Sequence, residues 1–200
     1  MQVACLDLEG VLVPEIWIAV AEKTGIASLR RTTRDEPDYD KLMRYRLDLL
    51  DKHGITLPQI QEVIGTLRPI EGGLEFLNWL RDRTQVFILS DTFAQFALPL
   101  MRQLGWPTLL CHELEVEPSG RISGYRLRQN DQKRCAVEAL KSLNYEVLAS
   151  GDSYNDLSML RSADRAILYR PSEAFAAENA DLPVARTYEE LRAEFSKILK

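Results

Sequence analysis

Short runs of apolar residues, bounded by polar or turn residues, recur along the chain, and longer stretches between them show the period of an α-helix. Buried strands that alternate with amphipathic helices are typical of a parallel sheet with helices on both faces, so the pattern predicts a doubly wound α/β fold. A further segment, Glu115–Arg128, contains Pro118, Gly120 and Gly124 and predicts a short β-hairpin. The predicted strands are Val3–Leu8, Val86–Leu89, Thr108–Cys111, Val147–Ser150 and Ala166–Tyr169. The predicted helices are Gly73–Arg81, Thr92–Leu104, Arg134–Leu143 and Leu157–Ser162.

One long segment, residues 14–69, shows helical periodicity without any strand signal. Gly54 and Pro58 mark a break between two of its helices. An insertion directly after the first strand lies over the carboxyl end of the sheet, where open α/β sheets bind ligands. We therefore predict a helical cap domain at 14–69 and a catalytic α/β core domain formed by 1–13 and 70–200.

Composition narrows the class of protein. The chain has 200 residues, of which 46% are hydrophobic and 28% charged, as is usual for a globular domain with a small insertion. A formal net charge of -5 disfavours a nucleic-acid partner, because phosphate backbones are bound chiefly by Lys and Arg. Without a secretory signal or a membrane-length apolar run, the chain is predicted to be cytoplasmic, with no membrane partner. Cys5, Cys111 and Cys135 are widely spaced and are predicted to be small core residues rather than a zinc site.

Side chains suited to phosphate chemistry follow the ends of the predicted strands. The carboxyl ends of parallel strands meet at one edge of a sheet, so we expect these residues to converge. Carboxylates can bind Mg²⁺, while a hydroxyl and an ammonium can hold phosphate oxygens. The residues are Asp7 and Glu9 after the first strand, Ser90 and Asp91 after the second, Gly151 and Asp152 after the fourth, and Lys133 at the start of the preceding helix.

Several of these residues also have a purely structural interpretation. Ser90 could cap the helix that follows it, and Asp7 alone could cap a loop. Ser153 and Asp156 have the spacing of a capping box. Lys133 could be an ordinary surface lysine, although a cation in the first turn of a helix is disfavoured by the helix dipole unless an anion lies nearby. The residues alone leave these alternatives open.

The order and spacing of these residues resemble the haloacid dehalogenase superfamily of aspartyl-phosphate phosphotransferases. Its first motif, D-x-D-x-[TV], corresponds to DLEGV at residues 7–11. The second motif corresponds to Ser90 in VFILSDT, the third to Lys133, and the fourth to GDSYND at residues 151–156. Four motifs in order are far more specific than any one of them. The helical insertion and the stretch GDSYNDLSML resemble the phosphoserine phosphatase branch of that superfamily.

The resemblance to this branch implies that Glu15 and Arg46 bind the amino and carboxyl groups of O-phosphoserine. Arg46 has independent support, because it falls on the apolar stripe with Leu42 and Met43, where a guanidinium needs an anion. A structural ion pair is the alternative for Arg46. Glu15 has an alternative interpretation too. It follows Pro14 and could simply be an acidic residue in the first turn of a helix, where the helix dipole stabilises a negative charge.

The resemblance further implies a mechanism in which Asp7 attacks phosphorus and Glu9 acts as the acid and base. Magnesium is expected at the carboxylates of Asp7 and Asp152 and the carbonyl of Glu9. The substrate-binding residues implied in this way are Glu15, Arg46, Ser90, Asp91, Lys133 and Asn155. Gly151 and Asp156 are expected to support the loop.

One residue departs from the family pattern, since these phosphatases normally have Asp at the position of Glu9. A subgroup that resembles this chain and has Glu there is known both as a phosphoserine phosphatase and as a phosphoserine:homoserine phosphotransferase. We therefore predict homoserine as a second phosphoryl acceptor, and we treat a causal role of Glu9 as a hypothesis. The alternatives are a phosphatase for another small phosphate ester, a dehalogenase, or a phospho-receiver domain, whose acceptor Asp follows the third strand. A homodimer is compatible with the sequence.

Overall fold

A computed structural model describes residues 1–32, 35–36 and 38–199. Within these residues one sheet is formed by β1 (Gln2–Leu6), β2 (Gln85–Phe93), β3 (Thr108–Val116), β4 (Ile122–Arg126), β5 (Glu146–Gly151), β6 (Arg165–Tyr169) and β7 (Val184–Ala185). Its strand order is β4-β3-β2-β1-β5-β6-β7. All neighbouring strands are parallel except β3 and β4, which form the predicted antiparallel hairpin.

Helices cover both faces of this sheet. Successive residues of β1 belong to different clusters of buried side chains, with Ala4 and Leu6 in one and Val3 and Cys5 in the other. This alternation confirms the doubly wound α/β architecture. The helices are α1 (Ile16–Thr24), α2 (Tyr39–Lys52), α3 (Leu57–Thr66), α4 (Gly73–Arg81), α5 (Ala94–Gln103), α6 (Gln132–Ser142), α7 (Leu157–Ser162), α8 (Glu173–Glu178) and α9 (Tyr188–Ile198). Among the described residues, none of these helices has the length and hydropathy needed to cross a membrane.

The central position of β1 places its carboxyl end between two neighbours. Leu6 pairs with Ile88 of β2 on one side and with Ser150 of β5 on the other. All three strands run parallel, so the residues that follow them emerge at the same edge of the sheet. This register brings together the motifs that were predicted to converge.

Helices α1, α2 and α3 occupy the segment between β1 and α4, as the periodicity predicted. The break between α2 and α3 contains Gly54, which has a φ of 62° that favours glycine. On α2, Leu42, Met43, Arg46 and Leu50 are all buried, so the arginine does lie on the inward face. The proposed boundaries of a cap domain at 14–69 stay a prediction.

Two predictions about local structure are wrong. Strand β2 continues to Phe93, and α5 begins at Ala94 rather than Thr92, so Ser90 does not cap that helix. The pairing of Phe93 with β3 extends the strand beyond the apolar run, and local sequence pattern does not register such a partner. Of the three cysteines, Cys5 alone is fully buried, whereas Cys111 and Cys135 are half-buried thiols and not core residues.

Candidate active site

A cleft of about 360 Å³ lies at the carboxyl ends of β1, β2 and β5, and residues of α1 and α2 also line it. Gly151 and Asp156 are buried beneath its floor. The structure therefore brings together residues from four separate motifs and from the helical insertion. The predicted site residues that line the cleft are Asp7, Glu9, Glu15, Arg46, Ser90, Asp91, Lys133, Asp152 and Asn155.

Lys133 is buried between two carboxylates. Its Nζ lies 2.8 Å from Oδ1 of Asp7 and 2.7 Å from Oδ1 of Asp156, and it is only 2% exposed. Burial acts to lower the pKa of Lys133, but the charges of Asp156 and Asp7 hold it well above its usual value. The interpretation of Lys133 as a surface lysine is therefore wrong.

Asp156 both forms the capping box that its spacing from Ser153 suggested and contacts a residue of the proposed site. Its Oδ2 accepts hydrogen bonds from the backbone N–H groups of Asp152 and Ser153 at 3.0 and 3.2 Å, as in a capping box. Its Oδ1 binds Lys133. Gly151 allows this packing, because a Cβ at that position would lie 2.5 Å from Cγ of Asp156. The acid thus holds the loop that carries Asp152.

The residues present fit a hard divalent cation. Oxygen atoms of Asp7, Asp152 and Asp156 all lie within 4.8 Å of one another. Burial, followed by the charge of Asp156, raises the pKa of Asp7 well above its usual value and that of Asp152 to about 7. Gly10, whose φ is 78°, leaves the space beside Asp152 open, since a Cβ there would lie 2.6 Å from the Asp152 carboxylate. Carboxylate oxygens are the donors that Mg²⁺ prefers, and a cation bound among them would relieve their mutual repulsion and favour their ionised forms.

Glu9 is connected to the first helix of the insertion. Its Oε2 accepts the backbone N–H of Ile16, the first residue of α1, at 2.8 Å. Burial and the nearby charge of Glu15 raise the pKa of Glu9 to about 7, which suits a group that gives and takes a proton near neutral pH. Glu15 itself is exposed at the N-terminus of α1, and its side chain makes no capping hydrogen bond there.

Arg46 lines the same cleft from α2 and has no carboxylate of the described residues within ion-pair distance. Burial lowers the pKa of Arg46 to about 10. The structural ion pair that the sequence left open is thus not found in the part of the chain that the structure describes. A guanidinium in a cleft without a direct ion-pair partner among the described residues is suited to bind a carboxylate ligand.

A family model for haloacid dehalogenase-like hydrolases matches residues 1–164. The chain belongs to this family. It is 61% identical to the phosphoserine phosphatase ThrH of Pseudomonas aeruginosa over 98% of this chain and 96% of that protein. It is 58% identical to a phosphoserine phosphatase of Pseudomonas syringae pv. tomato over 98% of this chain and 83% of that protein.

Solved structures of haloacid dehalogenase-like hydrolases share this fold. A phospho-aspartyl intermediate analogue of phosphoserine phosphatase has a TM-score of 0.80 at 21% identity, covering 100% of this chain and 99% of that one. An apo form of phosphoserine phosphatase has a TM-score of 0.78 at 21% identity with the same coverage. The shared fold extends over the whole chain, including the helical insertion.

In this hydrolase the irregular end of β2 at Ser90 and Asp91 rests on polar residues that the sequence did not predict. The buried side chain of Gln132 donates to the Ser90 carbonyl at 2.8 Å and to Oδ1 of Asp91 at 3.2 Å. The Tyr39 hydroxyl donates to the Asp91 carbonyl at 2.9 Å. His112 accepts a backbone N–H through Nδ1, and its Nε2 lies 3.7 Å from Oδ1 of Asp91. Nothing in the sequence pattern distinguishes these residues from other polar positions near strand ends.

The acidic side chain of Asp91 also joins two motifs across the cleft. Its Oδ2 accepts from Nδ2 of Asn155 at 3.4 Å and lies 3.9 Å from Nζ of Lys133. Burial acts to raise the pKa of Asp91, but the charge of Lys133 and the donors His112 and Gln132 hold it well below its usual value. Asp91 is therefore a fixed anion beside the lysine.

Proposed function

We propose that this protein is a Mg²⁺-dependent phosphoserine phosphatase that acts through an aspartyl-phosphate on Asp7. The arrangement that carries the proposal is one cleft lined both by Asp7 and Lys133 and by the guanidinium of Arg46, which has no ion-pair partner among the described residues. Such a cleft can hold a phosphoryl group and a carboxylate at once. The two Pseudomonas relatives, 61% and 58% identical and both named phosphoserine phosphatases, support this substrate.

In the first step, an oxygen of Asp7 attacks phosphorus while the bond from phosphorus to the serine oxygen breaks. Glu9 gives its proton to the departing serine oxygen, and its pKa of about 7 lets it hold that proton near neutral pH. In the second step, Glu9 takes a proton from an attacking water, phosphate leaves, and the carboxylate of Asp7 is restored. Dividing one displacement into two steps is the advantage of a covalent nucleophile.

Three donors of this chain would hold the phosphoryl oxygens during both steps. They are the hydroxyl of Ser90, the ammonium of Lys133 and the backbone N–H of Asp91. Donors fixed in advance around the developing charge stabilise the transition state without reorganisation. The carboxylates of Asp7 and Asp152 and the carbonyl of Glu9 would hold Mg²⁺, which supplies positive charge to the phosphoryl oxygens when bound.

Recognition of the serine portion would use residues of the helical insertion. Arg46 would bind its carboxylate and Glu15 its ammonium group, while Asn155 would contact the substrate from the opposite side. Helices α1 and α2 would exclude bulk water when they cover the substrate. A cytoplasmic location and a homodimer also remain predictions.

We further propose that homoserine can replace water as the phosphoryl acceptor. Homoserine has the same amino-acid group, which Glu15 and Arg46 would recognise, and a hydroxyl one carbon further out. Glu9 would then take the proton of that hydroxyl. The relative that is 61% identical is named ThrH, which is consistent with a role beyond hydrolysis.

The substitution Asp7→Asn tests the covalent mechanism. Because the amide cannot act as the nucleophile, we expect phosphate release from phosphoserine to fall by several orders of magnitude. Asp156→Asn is the control for stability, because it also removes one carboxylate beside Lys133. Thermal unfolding of both variants and of wild type measures how far that loss destabilises the fold. Retained Mg²⁺-dependent turnover in a folded Asp7→Asn variant contradicts the mechanism.

A panel of small phosphate esters tests the substrate. We expect phosphoserine to have the highest kcat/KM, and we expect phosphohomoserine to accumulate when homoserine is added. A preference for an ester without the amino-acid group contradicts the phosphoserine assignment and favours a phosphatase for another ester. Absence of phosphohomoserine contradicts the transferase activity alone.

A further inference from the structure

The guanidinium of Arg46 is held almost entirely by neutral groups. Its Nη2 donates to the backbone carbonyl of Arg31 at 2.8 Å, and its Nη1 lies 3.8 Å from the sulfur of Met43. Its Nε is buried and has no acceptor among the described residues, although Arg46 as a whole is only 6% exposed. None of these contacts is an ion pair, so the cation keeps its charge for a ligand in the cleft.

Trp17 also contacts this guanidinium. The central carbon of the Arg46 guanidinium lies 4.5 Å from the centroid of the indole ring, within the range of a cation–π interaction. Trp17 is itself buried and packs edge-on against Phe96, with ring centroids 5.3 Å apart. The indole is thus fixed from behind, and its contact with Arg46 is separate from the hydrogen bonds that the guanidinium makes.

We propose that Trp17 is a positioning and specificity-determining residue, whose ring face holds Arg46 so that the cleft selects phosphate esters with an α-carboxylate. This inference rests on the proposed function, because it takes a phosphorylated amino acid as the substrate. An aromatic face attracts a cation without neutralising it, whereas a protein carboxylate at that place would compete with the carboxylate of the substrate. Trp17 therefore orients the guanidinium and keeps it free to bind.

The position of Trp17 on α1 sharpens the test. The preceding residue, Ile16, donates its backbone N–H to Glu9, so the first turn of α1 contacts both the proposed acid and the carboxylate-binding arginine. General damage to this turn changes kcat through Glu9. Loss of the ring face alone changes KM through Arg46. The two parameters therefore separate a positioning role from a merely structural one.

The experiment compares wild type and Trp17→Leu with two substrates, phosphoserine and phosphoethanolamine, which lacks the carboxylate. For phosphoserine we expect KM to rise about tenfold, the order of effect of a desolvated cation–π contact, with kcat changed less than about twofold. For phosphoethanolamine we expect KM to stay unchanged. Trp79→Leu is a matched control, because Trp79 on α4 makes the same 4.5 Å contact with Arg83, outside the cleft.

A second measurement covers the case in which Trp17→Leu does not fold. Fluorotryptophan, incorporated in a Trp79→Phe and Trp106→Phe background, keeps the shape of Trp17 but weakens the negative face of its ring. A rise in KM for phosphoserine and not for phosphoethanolamine supports the proposal. An unchanged KM for both substrates overturns it.

The outcomes separate this inference from the proposed function. Equal losses on the two substrates in Trp17→Leu, or a loss in kcat alone, overturn the role of Trp17 and leave the phosphatase proposal standing. Wild-type protein that hydrolyses phosphoethanolamine but not phosphoserine overturns the proposed substrate, and the role of Trp17 with it.

Discussion

Lys133 balances the charge of the acidic residues around it. Two carboxylates lie 2.7 and 2.8 Å from its ammonium and a third, that of Asp91, lies at 3.9 Å. In the proposed mechanism the same ammonium also holds a phosphoryl oxygen. It must therefore share its three N–H donors between the protein and the substrate, which fits its position at the floor of the cleft.

We expect Lys133→Met to destabilise the protein by ~3–5 kcal/mol, because it leaves Asp7 and Asp156 as buried carboxylates without a counter-charge. Chemical denaturation measures this change. Lys141→Met is the matched control on the same helix, since Lys141 pairs with Asp164 in a partly exposed ion pair at 3.0 Å. That pair is expected to contribute less than ~1 kcal/mol. Equal losses in the two variants contradict the prediction.

Asp91 predicts a pH dependence of stability. Because the pKa of Asp91 is lowered in the folded protein, its ionised form stabilises the fold above the pKa of the unfolded chain, about 3.9. That contribution is lost as the pH falls from there through the lower folded pKa. We expect Asp91→Asn to be less stable than wild type near neutral pH, with the difference shrinking below about pH 4 in urea titrations. A difference that stays constant over this range contradicts the assignment.

Glu9→Asp tests the departure from the family pattern. The shorter side chain cannot both reach the Ile16 N–H and keep its carboxyl group in the same place, because one methylene is about a bond length. We expect the ratio of phosphohomoserine to phosphate formed from phosphoserine to fall. The measurement is product analysis with homoserine present. An unchanged ratio means that the helical insertion, and not Glu9, sets the choice of acceptor.

The residues of the candidate site divide into those with and those without a signal in the sequence. Asp7, Ser90 and Lys133 stand at motif positions, and the structure places all three at one cleft. His112 and Gln132 were not predicted, because a buried polar side chain is recognised only when its partner is known. Those partners are the backbone of Ser90 and the side chain of Asp91 near the end of β2, which the fold brings to them.

At the scale of elements, the hairpin of β3 and β4 holds α2 over the cleft. Near one end of α2, the Tyr125 hydroxyl donates to Asp40. Near the other end, Arg121 pairs with Asp51 at 2.6 Å, and the backbone N–H of Leu57 donates to the hairpin at 2.8 Å. Because α2 carries Arg46, the hairpin fixes how far the guanidinium lies from the phosphoryl-binding residues.

We expect Tyr39→Phe to raise KM for phosphoserine about fivefold, the equivalent of ~1 kcal/mol, because it removes the hydrogen bond from α2 to the Asp91 carbonyl. Steady-state kinetics measure this change. Tyr125→Phe is the matched control, since it also removes one tyrosine hydroxyl between α2 and the core, but at an exposed bond to Asp40. The same rise in KM in both variants would show that helix position in general, rather than the contact with Asp91, controls binding.

The elements themselves were largely predictable. Each of the five predicted strands is present, because fully buried parallel strands have apolar runs that turn residues delimit. The two-residue strand β7 was missed, since so short a segment has no period. The extension of β2 to Phe93 was also missed, because it depends on pairing with His112 in a neighbouring strand.

At the scale of the whole molecule, the net charge of -5 includes a local excess of carboxylates at the cleft. A cation that binds only the folded protein stabilises it by mass action. At saturating Mg²⁺ we expect the Tm to rise by about 5 °C relative to the protein with chelator, following the scaling of Tm with free energy for a chain of this size. We expect Asp152→Asn to lose most of this rise and Asp164→Asn, at a distant exposed acid, to keep it. A rise of equal size in both variants contradicts a site at Asp152.

The central position of β1 has a consequence for how the chain folds during synthesis. Its two neighbours, β2 and β5, are separated from it by long stretches of chain. In the pairing of β1 with β5, for example, Leu6 pairs with Ser150. Contacts of such long range close large loops and form slowly. The strand that directly precedes the proposed nucleophile therefore lacks one of its neighbours on the ribosome until β5 has emerged. The residues of β1 are translated well before those of β5 but reach their native environment only after them.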